Sequence, residues 1–195
     1  MRRIALVLSA TAAGIVALTI VLALAFRSSA SSHVRAAAVL ANVLEVPGSG
    51  WVAARFTPEP RLVERTIEGV PTTVALPGDA RPGPTLVFVN GATPRGRQHP
   101  AVRRLAGALA RFGTTVYVPD ADGLPRGEIT ERTIADSVAV ARVAAAESET
   151  GTTALAGVSV GTTLALLVAA HPELGERVRL VAGLAPYADL VEVIR

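Results

Sequence analysis

Gly157-Val158-Ser159-Val160-Gly161 limits what this 195-residue chain can fold into more than any other feature. The pentapeptide reads Gly-x-Ser-x-Gly. It lies between two apolar runs, residues 152–156 with the character of a strand and residues 162–170 with that of a helix. A serine on a sharp strand-to-helix turn has its hydroxyl pushed clear of the sheet. Glycines two residues to either side let backbone and helix approach without a Cβ clash. The arrangement suits a nucleophile; the alternative is a small residue at a tight turn with no chemistry.

The pattern around the pentapeptide supports the first reading. Residues 62–67 and 70–76 are rich in β-branched side chains and meet across Glu68-Gly69, which predicts a hairpin. Residues 77–84 form a loop by their Pro and Gly content. Residues 85–89 are a continuous apolar run, as expected of a strand buried on both faces. A helix follows over 101–112, with Val102, Leu105, Leu109 and Phe112 on one face and Gly113 at its C-terminal end. After a strand at 114–118, Thr130 reads as an N-cap. Ile129 and Ile134 are spaced as a hydrophobic staple, and Ile134, Val138, Ala141 and Ala145 make the inner face of the next helix. Residues 178–184 are a last strand. A hairpin followed by repeated βαβ units predicts a mostly parallel sheet covered by helices on both faces.

The N-terminus has a different composition. Residues 4–26, which begin at Ile4 and end at Phe26, contain no charge, and a helix of that length at about 1.5 Å per residue crosses roughly 30 Å of hydrocarbon. Two readings compete, a cleaved secretory signal and an uncleaved anchor. Ala23-Leu24-Ala25 has the small-x-small form of a cleavage site, but the apolar run exceeds the usual core of a signal, which favours the anchor. Arg2, Arg3 and the amino terminus outweigh Arg27 and Arg35, so the body of the protein is expected outside the cytoplasm. The expected organisation is an anchor or signal over 1–27, a linker with a juxtamembrane helix over 28–60, and a folded domain over 61–195.

Half of the residues are hydrophobic and 18% are charged, which excludes a disordered chain. The net charge is +3, and the arginines alternate with acids instead of forming a stripe, so nucleic acid is not an expected partner. Arg95, Arg97, Arg103 and Arg104 are the densest basic group and read as a solvated loop and helix face. There is no cysteine, which excludes disulfides and thiolate zinc sites. No metal or organic cofactor is implied, because neither a ligand cluster nor a phosphate-binding glycine pattern is present.

Together these motifs resemble the α/β-hydrolase family over residues 60–195. The elbow from Gly157 to Gly161 stands after the fifth strand and Val89-Asn90-Gly91-Ala92 after the third. Pro119-Asp120 follows the fourth, and Ala185-Pro186-Tyr187-Ala188-Asp189 the sixth. Asn90 departs from the commoner histidine. The resemblance implies an α/β fold with about six of the family's eight strands, here preceded by the N-terminal transmembrane helix. It makes Ser159 the nucleophile, with the backbone N–H groups of Val160 and Ala92 as the oxyanion hole. The implied activity is hydrolysis of carboxylic esters through an acyl-enzyme, by a membrane-anchored serine hydrolase of esterase or lipase type. A different class, a surface binding module that keeps the fold without the triad, stays open.

The base is harder to place. His171 is about twelve residues along a helix from Ser159, hence roughly 18 Å away, and reads as a polar residue at the helix end. His33 follows the apolar segment. His99 belongs to the loop after the third strand, on the same edge as Ser159. Asp189 matches an acid position used by some members of the family, but the favoured reading is an N-cap for a helix that begins at Leu190. Asp120 and Asp122 read as turn residues. The usual acid and histidine positions are therefore expected beyond Arg195, in a longer enzyme of which this chain is the N-terminal part. The run 178–184 would then be an open edge.

Overall fold

The computed structural model describes residues 57–79 and 83–185, together with Ala37, Val39, Ala41, Val43 and Arg55. The apolar segment 4–26, His33 and Asp189 lie outside the described residues, as does most of the linker region. Among the described residues no helix is long and apolar enough to cross a membrane.

The predicted hairpin forms as β1 (Arg61–Ile67) and β2 (Val70–Leu76), paired antiparallel from Arg61 opposite Leu76 to Ile67 opposite Val70. Its two-residue turn has Glu68 at φ 49° and Gly69 at φ 86°. Both central residues of a tight hairpin turn need positive φ to match the twist of the strands, which explains the glycine. The remaining strands are β3 (Thr85–Val89), β4 (Thr115–Pro119), β5 (Thr153–Val158) and β6 (Val178–Leu184). Between them run α1 (Pro100–Arg111), α2 (Glu131–Ala146) and α3 (Val160–Ala169). The sheet order is β1-β2-β4-β3-β5-β6, with β3, β4, β5 and β6 parallel and the hairpin antiparallel to them.

Side chains alternate across this sheet, and each face has its own core. Val87, Val89, Tyr117 and Leu155 point to the side covered by α2 and α3, where they meet Val138, Ala141, Leu164 and Val168. Phe88, Val116 and Val118 point to the opposite side and meet Val102, Ala106 and Ala110 of α1. β3 is thus covered on both faces, as its unbroken apolar sequence predicts. The predicted face of α1 is only partly the observed one. Leu105 and Leu109 flank the contact while Ala106 and Ala110 sit deepest, because small side chains let the helix backbone approach the sheet.

Local signals hold these helices at their ends. Thr130 caps α2, accepting from the Thr133 N–H at 3.2 Å, while the Thr133 hydroxyl accepts from the Thr130 N–H at 3.0 Å. This is a capping box with threonine in the place that glutamate usually takes. Gly113 at φ 95° ends α1, donating to the Ala110 carbonyl at 3.0 Å. A half-exposed cross-tie joins the hairpin and β4 to the end of α2. The Tyr117 hydroxyl donates to Glu147 at 2.5 Å, and Arg65 grips the same carboxylate through both terminal nitrogens at 2.7 and 2.9 Å. The Arg65 hydrogen bonds hold the Glu147 carboxyl below its ordinary range against the opposing effect of burial.

Candidate active site

Ser159 lies between β5 and α3 with φ 56° and ψ −130°. A side chain with a Cβ avoids this region, so the conformation exists because the surroundings enforce it. Three glycines show how. A Cβ on Gly157 would collide with the backbone of Gly161 and Thr162, and one on Gly161 would collide with the carbonyl oxygens of Val89 and Asn90. A Cβ on Gly91 would stand 3.1 Å from the Val158 carbonyl oxygen and 3.5 Å from the Ser159 Cβ. The head of α3 is therefore pressed against the end of β3. The Ser159 N–H donates to the Leu184 carbonyl at 2.8 Å, which ties the turn to the end of β6 as well.

This packing brings the predicted site residues together. Ser159, Asn90, Gly91, Ala92 and His99 line one cavity of about 440 Å³, whose walls are mostly apolar through Phe88, Val102, Leu105 and Val158. Val160 is the first residue of α3, so its N–H belongs to the unpaired donors at a helix start. The Ser159 side chain makes no capping bond.

The loop from β3 to α1 is held from several sides. The Asn90 side-chain amide donates to the Gly96 carbonyl at 3.1 Å. Glu64 on β1 accepts from Arg97 at 2.6 Å, Arg103 at 3.0 Å and Gln98 at 3.2 Å, and from the Thr73 hydroxyl at 3.0 Å. Burial works to raise the Glu64 carboxyl, but these donors and the Arg97 charge outweigh it and leave it lowered. Arg97 also stands 3.8 Å from Asp120, whose carboxyl is raised by burial in spite of that charge. The predicted solvated arginine face is thus wrong in part. Arg97 and Arg103 are a brace between the hairpin and the loop that carries Ala92. The signal, a carboxylate on one side of a hairpin strand and arginines some thirty residues later, has no local spacing by which to be found.

Neither described histidine is placed to deprotonate Ser159. His171 follows α3 and lines a different cavity of about 210 Å³ with Glu68, Arg142 and Glu173, in keeping with the sequence expectation. His99 does reach the Ser159 cavity, but it is the N-cap of α1, and its Nδ1 accepts from the Ala101 N–H at 3.3 Å. A neutral ring bonded in this way carries its proton on Nε2, and its one basic lone pair, on Nδ1, is engaged by the Ala101 N–H. Asp122 stands in a turn, as expected, exposed and 3.9 Å from Arg126, whereas Asp120 just after β4 pairs with Arg97. Among the described residues no cluster of three or more His, Asp or Glu side chains could hold a metal ion.

The sequence matches no protein-family model and none of the curated proteins. Solved structures do resemble it. DphMB1 superposes with a TM-score of 0.55 at 26% identity, over 78% of this chain and 58% of that one. Brefeldin A esterase, described as a bacterial homologue of human hormone sensitive lipase, gives 0.56 at 18% identity, over 80% and 52%. Esterase B from Lactobacillus rhamnosis gives 0.52 at 19% identity, over 79% and 59%. The chain has the α/β-hydrolase fold. Its strand order, the positive φ of Ser159 and the glycine-cleared contact between α3 and β3 form a sharp strand-to-helix turn at the end of β5. The chain spans little more than half the length of these hydrolase-fold structures.

Proposed function

We propose that the protein hydrolyses carboxylic esters, with Ser159 as the nucleophile. The observation that carries this reading is a serine held at φ 56° on the wall of an apolar cavity, beside the loop after β3. The Ser159 oxygen attacks the ester carbonyl carbon, and its proton passes to a base that the described residues do not supply. The negative charge that develops on the carbonyl oxygen is met by the Val160 N–H and the Ala92 N–H, fixed donors that need no rearrangement. Collapse expels the alcohol, which takes the proton, and water then releases the acid from the acyl-enzyme. Each donor of this kind is worth about 3 to 4 kcal/mol in the transition state.

The expected location follows from residues 4–26. The uncharged length and the flanking arginines support an uncleaved anchor with the hydrolase domain outside the cytoplasm. Fractionation of the full chain, with sequencing of its N-terminus, tests this. Recovery of a soluble form that begins near Phe26 would refute the anchor.

The catalytic reading is tested with a fluorophosphonate and with short acyl esters. Ser159 should carry the label, and Ser159→Ala should abolish labelling and ester hydrolysis together. A full-length protein that folds but neither labels nor turns over esters would be the binding module instead.

A further inference from the structure

The cavity in front of Ser159 contains one feature that ester cleavage does not require. His99 is the one titratable side chain on its walls among the described residues, and most of the remaining wall is apolar. The ring is half-buried. Pro100 occupies the first position of α1 and has no N–H, so the Ala101 N–H is the donor left for a cap, and the His99 Nδ1 takes it. This task leaves the proton on Nε2. No described residue bonds to that nitrogen.

The turn that carries the ring is also held in place. The His99 backbone N–H donates to the Gly96 carbonyl at 3.1 Å, and Gln98 beside it is bound to both Glu64 and Arg103. Asn90 fixes the same turn from the other side through Gly96. A donor on such a braced loop needs little ordering when a ligand arrives, which favours affinity. It also discriminates. A plain alkyl chain that fills the cavity strips water from the Nε2–H and offers nothing in return, whereas a chain with an oxygen acceptor satisfies it.

We infer that His99 is a specificity residue that selects esters carrying a second oxygen acceptor, a keto or hydroxyl oxygen, in the part of the molecule that occupies this cavity. The inference rests on the reading of Ser159 as nucleophile. The acceptor belongs to the substrate and takes no part in bond making, so the chemistry at Ser159 is unchanged.

The test uses the full chain and two fluorophosphonates, one with a pentyl chain and one with a 4-oxopentyl chain, and reads the rate of labelling at Ser159. The variant is His99→Asn, because asparagine is a good N-cap and keeps α1 intact while removing the distant donor. Wild type should label faster with the oxo probe, and the ratio of the two rates should fall about tenfold in His99→Asn. His99→Gln, whose longer amide keeps a donor, should recover part of the ratio. A ratio that falls less than threefold overturns this inference and leaves the nucleophile reading standing. Failure of both probes to label Ser159 in the wild type overturns the two together. A nitrogen-15 spectrum gives an independent check: the His99 Nε2 should carry the proton, and the opposite tautomer would sink the argument.

Discussion

Replacing Ser159 by glycine should make the protein more stable while removing the proposed nucleophile. At φ 56° a residue with a Cβ is strained by roughly 1–2 kcal/mol, and glycine is not. Against this, glycine gives the unfolded chain more freedom, which costs about 0.4–1 kcal/mol. Few other terms enter, since Ser159 makes no side-chain capping bond and its Cβ is faced by Gly91. The proper reference is Ser159→Ala, which lacks the hydroxyl equally but keeps the Cβ. Ser159→Gly should exceed it by about 1 kcal/mol, or about 2–4 °C in Tm for a domain of this size. Urea titrations monitored by circular dichroism, with m-values compared, would measure the difference. If the glycine variant were no more stable than the alanine variant, the strain at the elbow would not be real.

Gly161→Ala should unfold or strongly destabilise the domain, by about 1–3 kcal/mol or more, because its Cβ has only backbone carbonyls of β3 to move against. The control is Gly107→Ala on α1, whose Cβ would meet only the end of the Leu62 side chain at 3.8 Å and should be tolerated. Tyr117→Phe should cost about 1 kcal/mol in chemical denaturation by removing one of the two donors to a single Glu147 oxygen, which keeps Arg65. Glu64 and Glu147 have folded-state carboxyls lowered from their ordinary range, so their contribution is present above that range and lost as pH falls through it. Stability should therefore decline below about pH 5. Both side chains are more than a third exposed, so Glu147→Gln should flatten that decline by less than about 1 kcal/mol, and an unchanged acid limb would contradict the assignment.

How much of the fold and the site is legible in the sequence follows the range of the interactions. The hairpin, the Thr130 cap and the serine elbow are encoded within a few residues, in Glu68-Gly69, in the Thr130 start of α2 and in glycines spaced about Ser159, so each can be read directly. Neighbouring strand ends are legible through the resemblance, which puts Ala92 and Ser159 side by side, and the two line one cavity. The deep Ala106 and Ala110 face is not, because hydrophobic periodicity weights large side chains while close helix packing favours small ones. The cap at His99 escapes for a related reason. Histidine is an uncommon N-cap, and only the Nδ1 contact with Ala101 reveals it. The Glu64 brace spans residues far apart in sequence and leaves no periodic trace.

The sheet order has a consequence for synthesis on the ribosome. β3 lies between β4 and β5, and both of those emerge after it, so the strand Thr85–Val89 has no earlier partner to pair with. β2 has β1 as an earlier partner, but its other edge waits for β4, which must slot between two strands already made. β4 is complete about thirty residues after β3 ends, a delay of a few seconds at roughly 5–20 residues per second. During that interval an apolar strand suited to burial on both faces is unprotected, and a nascent chain arrested between β3 and β4 should be the form most readily held by chaperones.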